Sequence, residues 1–92
     1  MFYLVCYDIV DDRRRTRVSK LLEAYGLRVQ KSVFELVLNP RQYKKLLPRL
    51  SKLLNAKEDQ LRFYPLSQPC RHKVTVLGIK PDYAIDDEVF FA

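Results

Sequence analysis

The stretch that most constrains this chain is Phe2-Tyr3-Leu4-Val5-Cys6-Tyr7-Asp8-Ile9. Its aromatic, β-branched and aliphatic residues favour a strand. Side chains alternate along a strand. Tyr3, Val5, Tyr7 and Ile9 therefore share one face, and Phe2, Leu4, Cys6 and Asp8 the other. Both faces are mostly apolar, and such a strand needs cover on both sides. A chain of 92 residues reads as one domain, 1–92, with a small core. It can supply few helices, so a second copy of the chain is a natural cover for one face.

One carboxylate, Asp8, interrupts this run, and Arg13-Arg14-Arg15-Thr16-Arg17 follows it closely. Asp is depleted in strands and seldom buried unpaired. The formal net charge of +6 points to an anionic partner, with nucleic acid first. Two glycines leave no room for a Gly-rich phosphate loop. Cys6 and Cys70 form no C-x-x-C pair, which argues against zinc and thioredoxin-like sites and fits a reducing cytoplasm. The N-terminus has neither the basic start nor the long apolar core of a signal peptide. No stretch approaches the roughly 20 apolar residues of a membrane span, so no membrane partner is expected.

After the first strand, Asp11 or Asp12 can cap a helix. Val18, Leu21, Leu22 and Tyr25 mark its apolar stripe, and Gly26 suits a left-handed position after its end. The arginines of its first turns oppose the helix dipole, which favours a binding role for them. Residues 28–38 read as one second strand. Asn39-Pro40 opens a second helix, whose apolar spacing runs from Tyr43 to Leu54. Pro48 should kink that helix rather than stop it. Residues 60–66 read as a strand whose Pro65 belongs at a sheet edge. Residues 67–72 read as a loop and 73–79 as a further strand. A tail over about 80–92 ends in Val89-Phe90-Phe91, an apolar segment suited to pairing with a neighbouring sheet edge. The order predicts an α+β domain with two helices on one face of a four-stranded antiparallel sheet. It approaches the ferredoxin-like βαββαβ pattern, although one strand rather than two is read between the helices.

Asp8 is the leading candidate for chemistry. A carboxylate is a hard oxygen ligand for Mg²⁺ or Mn²⁺, and such a metal can activate water against a phosphodiester. The plainer alternative is an acid that ends a strand. Arg13, Arg14, Arg15, Arg17, Lys20, Arg28 and Lys31 form a basic set suited to phosphates, or simply a solvated face. Tyr7 and Phe34 can stack on bases or fill the core. His72, the one histidine, can move a proton or merely stand at the surface. Ser32 has no neighbouring base and is not expected to act as a nucleophile.

Three groups of residues together resemble one known family. They are Tyr7-Asp8-Ile9 closing the first strand, Arg15 and Arg17 at the helix start, and Gly26-Leu27-Arg28-Val29-Gln30-Lys31-Ser32-Val33-Phe34-Glu35. The chain is similar to CRISPR-associated protein two, the small partner of the integrase in spacer acquisition. The resemblance implies a ferredoxin-like subunit in a symmetric homodimer, its last strand joining the partner's sheet. It implies a divalent metal held at Asp8 across the dimer interface. Nucleic-acid contacts are implied at Arg15, Arg17, Arg28 and Phe34. It implies one of two activities: a Mg²⁺-dependent endonuclease on single-stranded RNA or double-stranded DNA, or a non-catalytic adaptor that bridges integrase dimers. A ferredoxin-like sensor of small ligands is a third reading, which the basic charge disfavours.

Overall fold

A computed structural model describes residues 1–78 and 90–91. The first strand, β1 (Phe2–Asp8), lies inside a four-stranded antiparallel sheet. Helix α1 (Asp12–Glu23) follows, then the hairpin β2 (Gly26–Gln30) and β3 (Val33–Val37). Helix α2 (Pro40–Leu53) and strand β4 (Gln60–Leu66) complete the βαββαβ unit. The strand order is β2-β3-β1-β4, which is the ferredoxin-like arrangement. No helix is long and apolar enough to cross a membrane among the described residues.

The reading of 28–38 as a single strand is wrong. The polar segment Gln30-Lys31-Ser32 reverses the chain, and a register shift between Arg28 and Gln30 adds to the bend. The two halves then pair with each other, which supplies the second strand between the helices. Gly26 also differs from expectation. It opens β2 and has no positive φ; that conformation belongs to Gly78. A side chain at Gly26 would collide with the Glu35 carbonyl oxygen and the Leu36 side chain. Glycine therefore serves the close approach of β2 to β3, not the helix end.

Both helix starts are capped. Asp11 accepts from the Arg14 backbone N–H at 2.9 Å. Asn39 and Gln42 exchange hydrogen bonds between side chain and backbone, with Pro40 at the start of the helix. Helix α2 continues through Pro48. Val5 and Tyr7 of β1, with Ile9 just after it, meet Phe34, Leu36, Val18, Leu22, Leu46 and Leu50 in one core. Each such aliphatic or aromatic side chain contributes about 1.5–3 kcal/mol by leaving water.

The other face of the sheet has less cover. Leu27, Glu35, Leu4 and Tyr64 form a row across all four strands. Leu4 and Cys6 are half-buried, while Val37 and Tyr64 are exposed. Residues 67–72 are not simply a loop: Gln68–Arg71 form a short helix, α3. Arg71 places its guanidinium 4.4 Å from the Phe2 ring and thereby covers that end of the face. Of the expected strand 73–79, the described residues 73–78 do not join the main sheet, and residue 79 lies outside the described residues. Only Thr75–Val76 (β5) is extended there, paired in parallel with Phe90–Phe91 (β6). The rest of the expected tail strand lies outside the described residues.

Candidate nucleic-acid interface

Asp8 ends β1 opposite Gln60 of β4, and its residue is exposed. Alternation turns Tyr7 and Ile9 into the core and Asp8 away from it. The neighbouring Val10 is 66% exposed, so the chain leaves the sheet here at the surface. The cap at Asp11 then starts α1 and its arginines. Asp11 is held below the ordinary carboxylate range chiefly by the Arg14 N–H that it accepts.

These arginines have different roles. Arg14 donates from Nε to Asp59 at 2.8 Å and pairs with Glu58 at 2.9 Å. The Asp59 side chain is completely shielded from solvent. It also accepts from the backbone N–H of Val10 at 3.2 Å and of Asn55 at 2.9 Å. One carboxylate thus ties the β1–α1 link, the first turn of α1 and the α2–β4 link together. Arg14 chiefly holds the Asp59 carboxyl below its usual value, against the opposing effect of burial, and the two backbone donors assist. Arg15 donates to the Ile9 carbonyl at 2.9 Å and pairs with Asp12. The dipole argument for a binding role therefore fails for Arg14 and weakens for Arg15, because nearby acids and carbonyls compensate them. Arg17 and Lys20 are exposed and make no ion pair among the described residues.

Tyr7 and Phe34 are not placed to stack on bases. Tyr7 is 6% exposed and Phe34 fully buried, with ring centroids 6.3 Å apart. Their strands pair at Val5 and Phe34, which turns both rings under the helices. Arg28 stands over the Phe34 ring at 5.4 Å. Its guanidinium, not the ring, is what this edge of the sheet presents. His72 is exposed and follows α3, beside the Phe2 end of β1 and not the Asp8 end.

No group of three His, Cys, Asp or Glu side chains is close enough to cage a metal among the described residues. Asp8 alone is compatible with a Mg²⁺ ion that keeps most of its waters, since such ions often take one or two carboxylates. Within one chain it is a minimal ligand. On the open sheet face, burial raises Glu35 above the ordinary carboxyl range, and the charge of Arg71 opposes that shift. Neither Asp59 nor Glu35 stands out in the sequence. Asp59 is 45 positions from Arg14, and no local pattern links them.

Comparison with known proteins agrees with this geometry. The family model for CRISPR associated protein Cas2 matches residues 1–74. A Synechocystis sp. protein named CRISPR-associated endoribonuclease Cas2 3 is 48% identical over 79 residues, covering 86% of each chain. The crystal structure of Streptococcus pyogenes Cas2 at pH 6.5 superposes with a TM-score of 0.76 at 36% identity, covering 85% of this chain and all of that one. A chain of a partial Cas6-RT-Cas1–Cas2 complex superposes with a TM-score of 0.74 at 30% identity, covering 91% of this chain and 97% of that one.

Proposed function

The chain belongs to the CRISPR-associated Cas2 family, and from that premise we propose a paired subunit of CRISPR adaptation that cuts phosphodiesters at Asp8. The observation that carries this reading is an exposed carboxylate at the end of β1, directly before a basic helix start. Two chains, joined through the apolar sheet face and the C-terminal strands, would bring two such carboxylates into one interface. Asp8 from each copy would hold Mg²⁺ or Mn²⁺. When bound, that ion would polarise a phosphate oxygen of the substrate and lower the pKa of a bound water. Asp8 orients that centre, and the Asp59–Arg14 tie fixes the turn that carries it. Arg17 offers a guanidinium to the phosphates, and Arg28 offers another at the sheet edge. Arg15 secures the Ile9 carbonyl and keeps Asp8 and α1 in fixed relation. The substrate is single-stranded RNA or double-stranded DNA, read through its backbone and not its bases. The free cysteines fit a cytoplasmic setting.

A second reading is favoured by the lack of a clustered set of metal-ligating side chains around Asp8 among the described residues, and by the likeness to a subunit of a Cas1–Cas2 complex. Here the pair is a non-catalytic adaptor that grips DNA and bridges dimers of the integrase, Cas1. The two readings differ over Asp8. Labelled single-stranded RNA and duplex DNA are incubated with wild type and Asp8→Asn, in Mg²⁺ or EDTA, while duplex binding is followed in parallel. The nuclease reading expects cleavage that EDTA and Asp8→Asn both abolish, with binding intact. Cleavage that survives the substitution, or its absence in Mg²⁺, refutes it. Persistent salt-sensitive duplex binding in that case leaves the adaptor.

A further inference from the structure

Helix α2 carries Arg41, Lys44, Lys45, Arg49 and Lys52 and no carboxylate. Lys45 and Arg49 are four residues apart, and Arg49 and Lys52 three. Like charges at these spacings weaken a helix, so folding does not account for them. On α1, Arg17 and Lys20 repeat the pattern. The packing of α1 on α2 brings the two sets together. Arg17, Lys20, Arg49 and Lys52 line one groove over an apolar floor of Leu21 and Leu53. An adjoining hollow shares Arg17 and Lys52 and adds Lys57.

Most acids nearby are already engaged, although Glu23, three residues after Lys20, makes no ion pair among the described residues. Asp12 pairs with Arg15, and Glu58 and Asp59 pair with Arg14. Arg49 donates to the Tyr25 hydroxyl at 3.1 Å, which leaves its charge uncompensated. Arg17, Lys20, Lys52 and Lys57 make no ion pair among the described residues.

We propose that this α1–α2 groove seats the phosphate backbone of a nucleic-acid duplex. The inference rests on the nucleic-acid reading above and extends it from Arg17 to Lys20, Arg49 and Lys52, which the Asp8 site does not include. A single strand is held by stacking its bases on aromatic rings, and no aromatic side chain lines the groove. A duplex needs only cations spaced along its backbone. Helix α1, with 12 residues, is about 18 Å long. That is about half of one duplex turn of roughly 34 Å.

The test is the salt dependence of binding to a short labelled DNA duplex, measured by fluorescence anisotropy. Three proteins are compared: wild type, Arg49→Gln/Lys52→Gln, and Lys44→Gln/Lys73→Gln. The last loses the same charge outside the groove. Gln is a good helix former, so α2 should persist, and circular dichroism checks this. Each phosphate contact contributes about −0.9 to the slope of log K against log salt. The groove variant should lose about 1.8 of that slope per bound chain, and the control should keep it. Equal losses in both variants would mean diffuse charge and overturn the groove. Wild-type binding with an unchanged groove variant would overturn the groove alone. Absence of salt-sensitive binding by wild type would overturn the groove and the nucleic-acid reading together. A labelled single-stranded RNA is measured alongside, and a groove variant that loses affinity for it while keeping duplex binding would overturn the duplex assignment.

Discussion

Replacement of Phe34 separates a core role from a ligand role. The resemblance to the family implies that Phe34 touches nucleic acid, whereas the structure buries it completely between β1 and the helices. Truncation to Ala leaves a cavity that neighbours such as Leu22, Leu36 and Leu46 fill only in part. Buried Phe→Ala changes cost about 3–5 kcal/mol. Loss of the ring beneath Arg28 adds about 0.5–1 kcal/mol. Single domains have about 5–15 kcal/mol in total, so Phe34→Ala should be marginal or unfolded. With a urea slope near 1 kcal/mol/M, its midpoint falls by about 3 M or more. Phe34→Leu keeps an apolar side chain and should cost about 1.5 kcal/mol or less. It therefore stays folded in buffer and allows a clean binding measurement. A core role predicts unchanged affinity for RNA and duplex DNA in Phe34→Leu. A stacking role, worth about 1–3 kcal/mol per base, predicts a loss of about 5- to 150-fold. A fully folded Phe34→Leu with such a loss, or a Phe34→Ala that unfolds like wild type, would rule out a purely structural Phe34.

Gly26→Ala sets a Cβ against the Glu35 carbonyl and Leu36, so β2 has to move away from β3. A destabilisation of about 1–3 kcal/mol is expected in urea unfolding; a neutral change would contradict the close approach. Asp59 supplies the pH dependence. Its folded pKa is lowered from an ordinary value of 3.8, so its contribution is complete above that value and fades as pH falls through the lower folded one. Stability of Asp59→Asn should therefore be lower at neutral pH and flatter than wild type below about pH 4. Parallel curves for the two proteins would refute the tie to Arg14.

The fold was legible where pattern and physics agree. Residues 2–8 alternate, Asp11 and Asn39 are good caps, and α2 keeps its apolar stripe across Pro48. The hairpin is hard to read because β2 and β3 both carry strand-forming residues, and the turn between them, Lys31-Ser32, holds no Gly, Pro, Asn or Asp to mark it. Gly26 was read as a helix end because glycine serves both open φ and tight contacts, and only the neighbouring strand distinguishes them. Asp8 was legible as an acid in the wrong place. Which arginines remain available beside it was not. That depends on Asp59, whose partner lies across the fold, and on a groove formed only when α1 meets α2.

Binding of Mn²⁺ tests the place of Asp8 most directly, since it needs no substrate and no turnover. Electron paramagnetic resonance counts the bound ion in wild type and in Asp8→Asn, with chain association followed by sedimentation. One ion is expected for each associated pair of wild-type chains, with loss of that ion in Asp8→Asn and no loss of pairing. Mn²⁺ bound equally well by Asp8→Asn, or none bound by paired wild type, would contradict it.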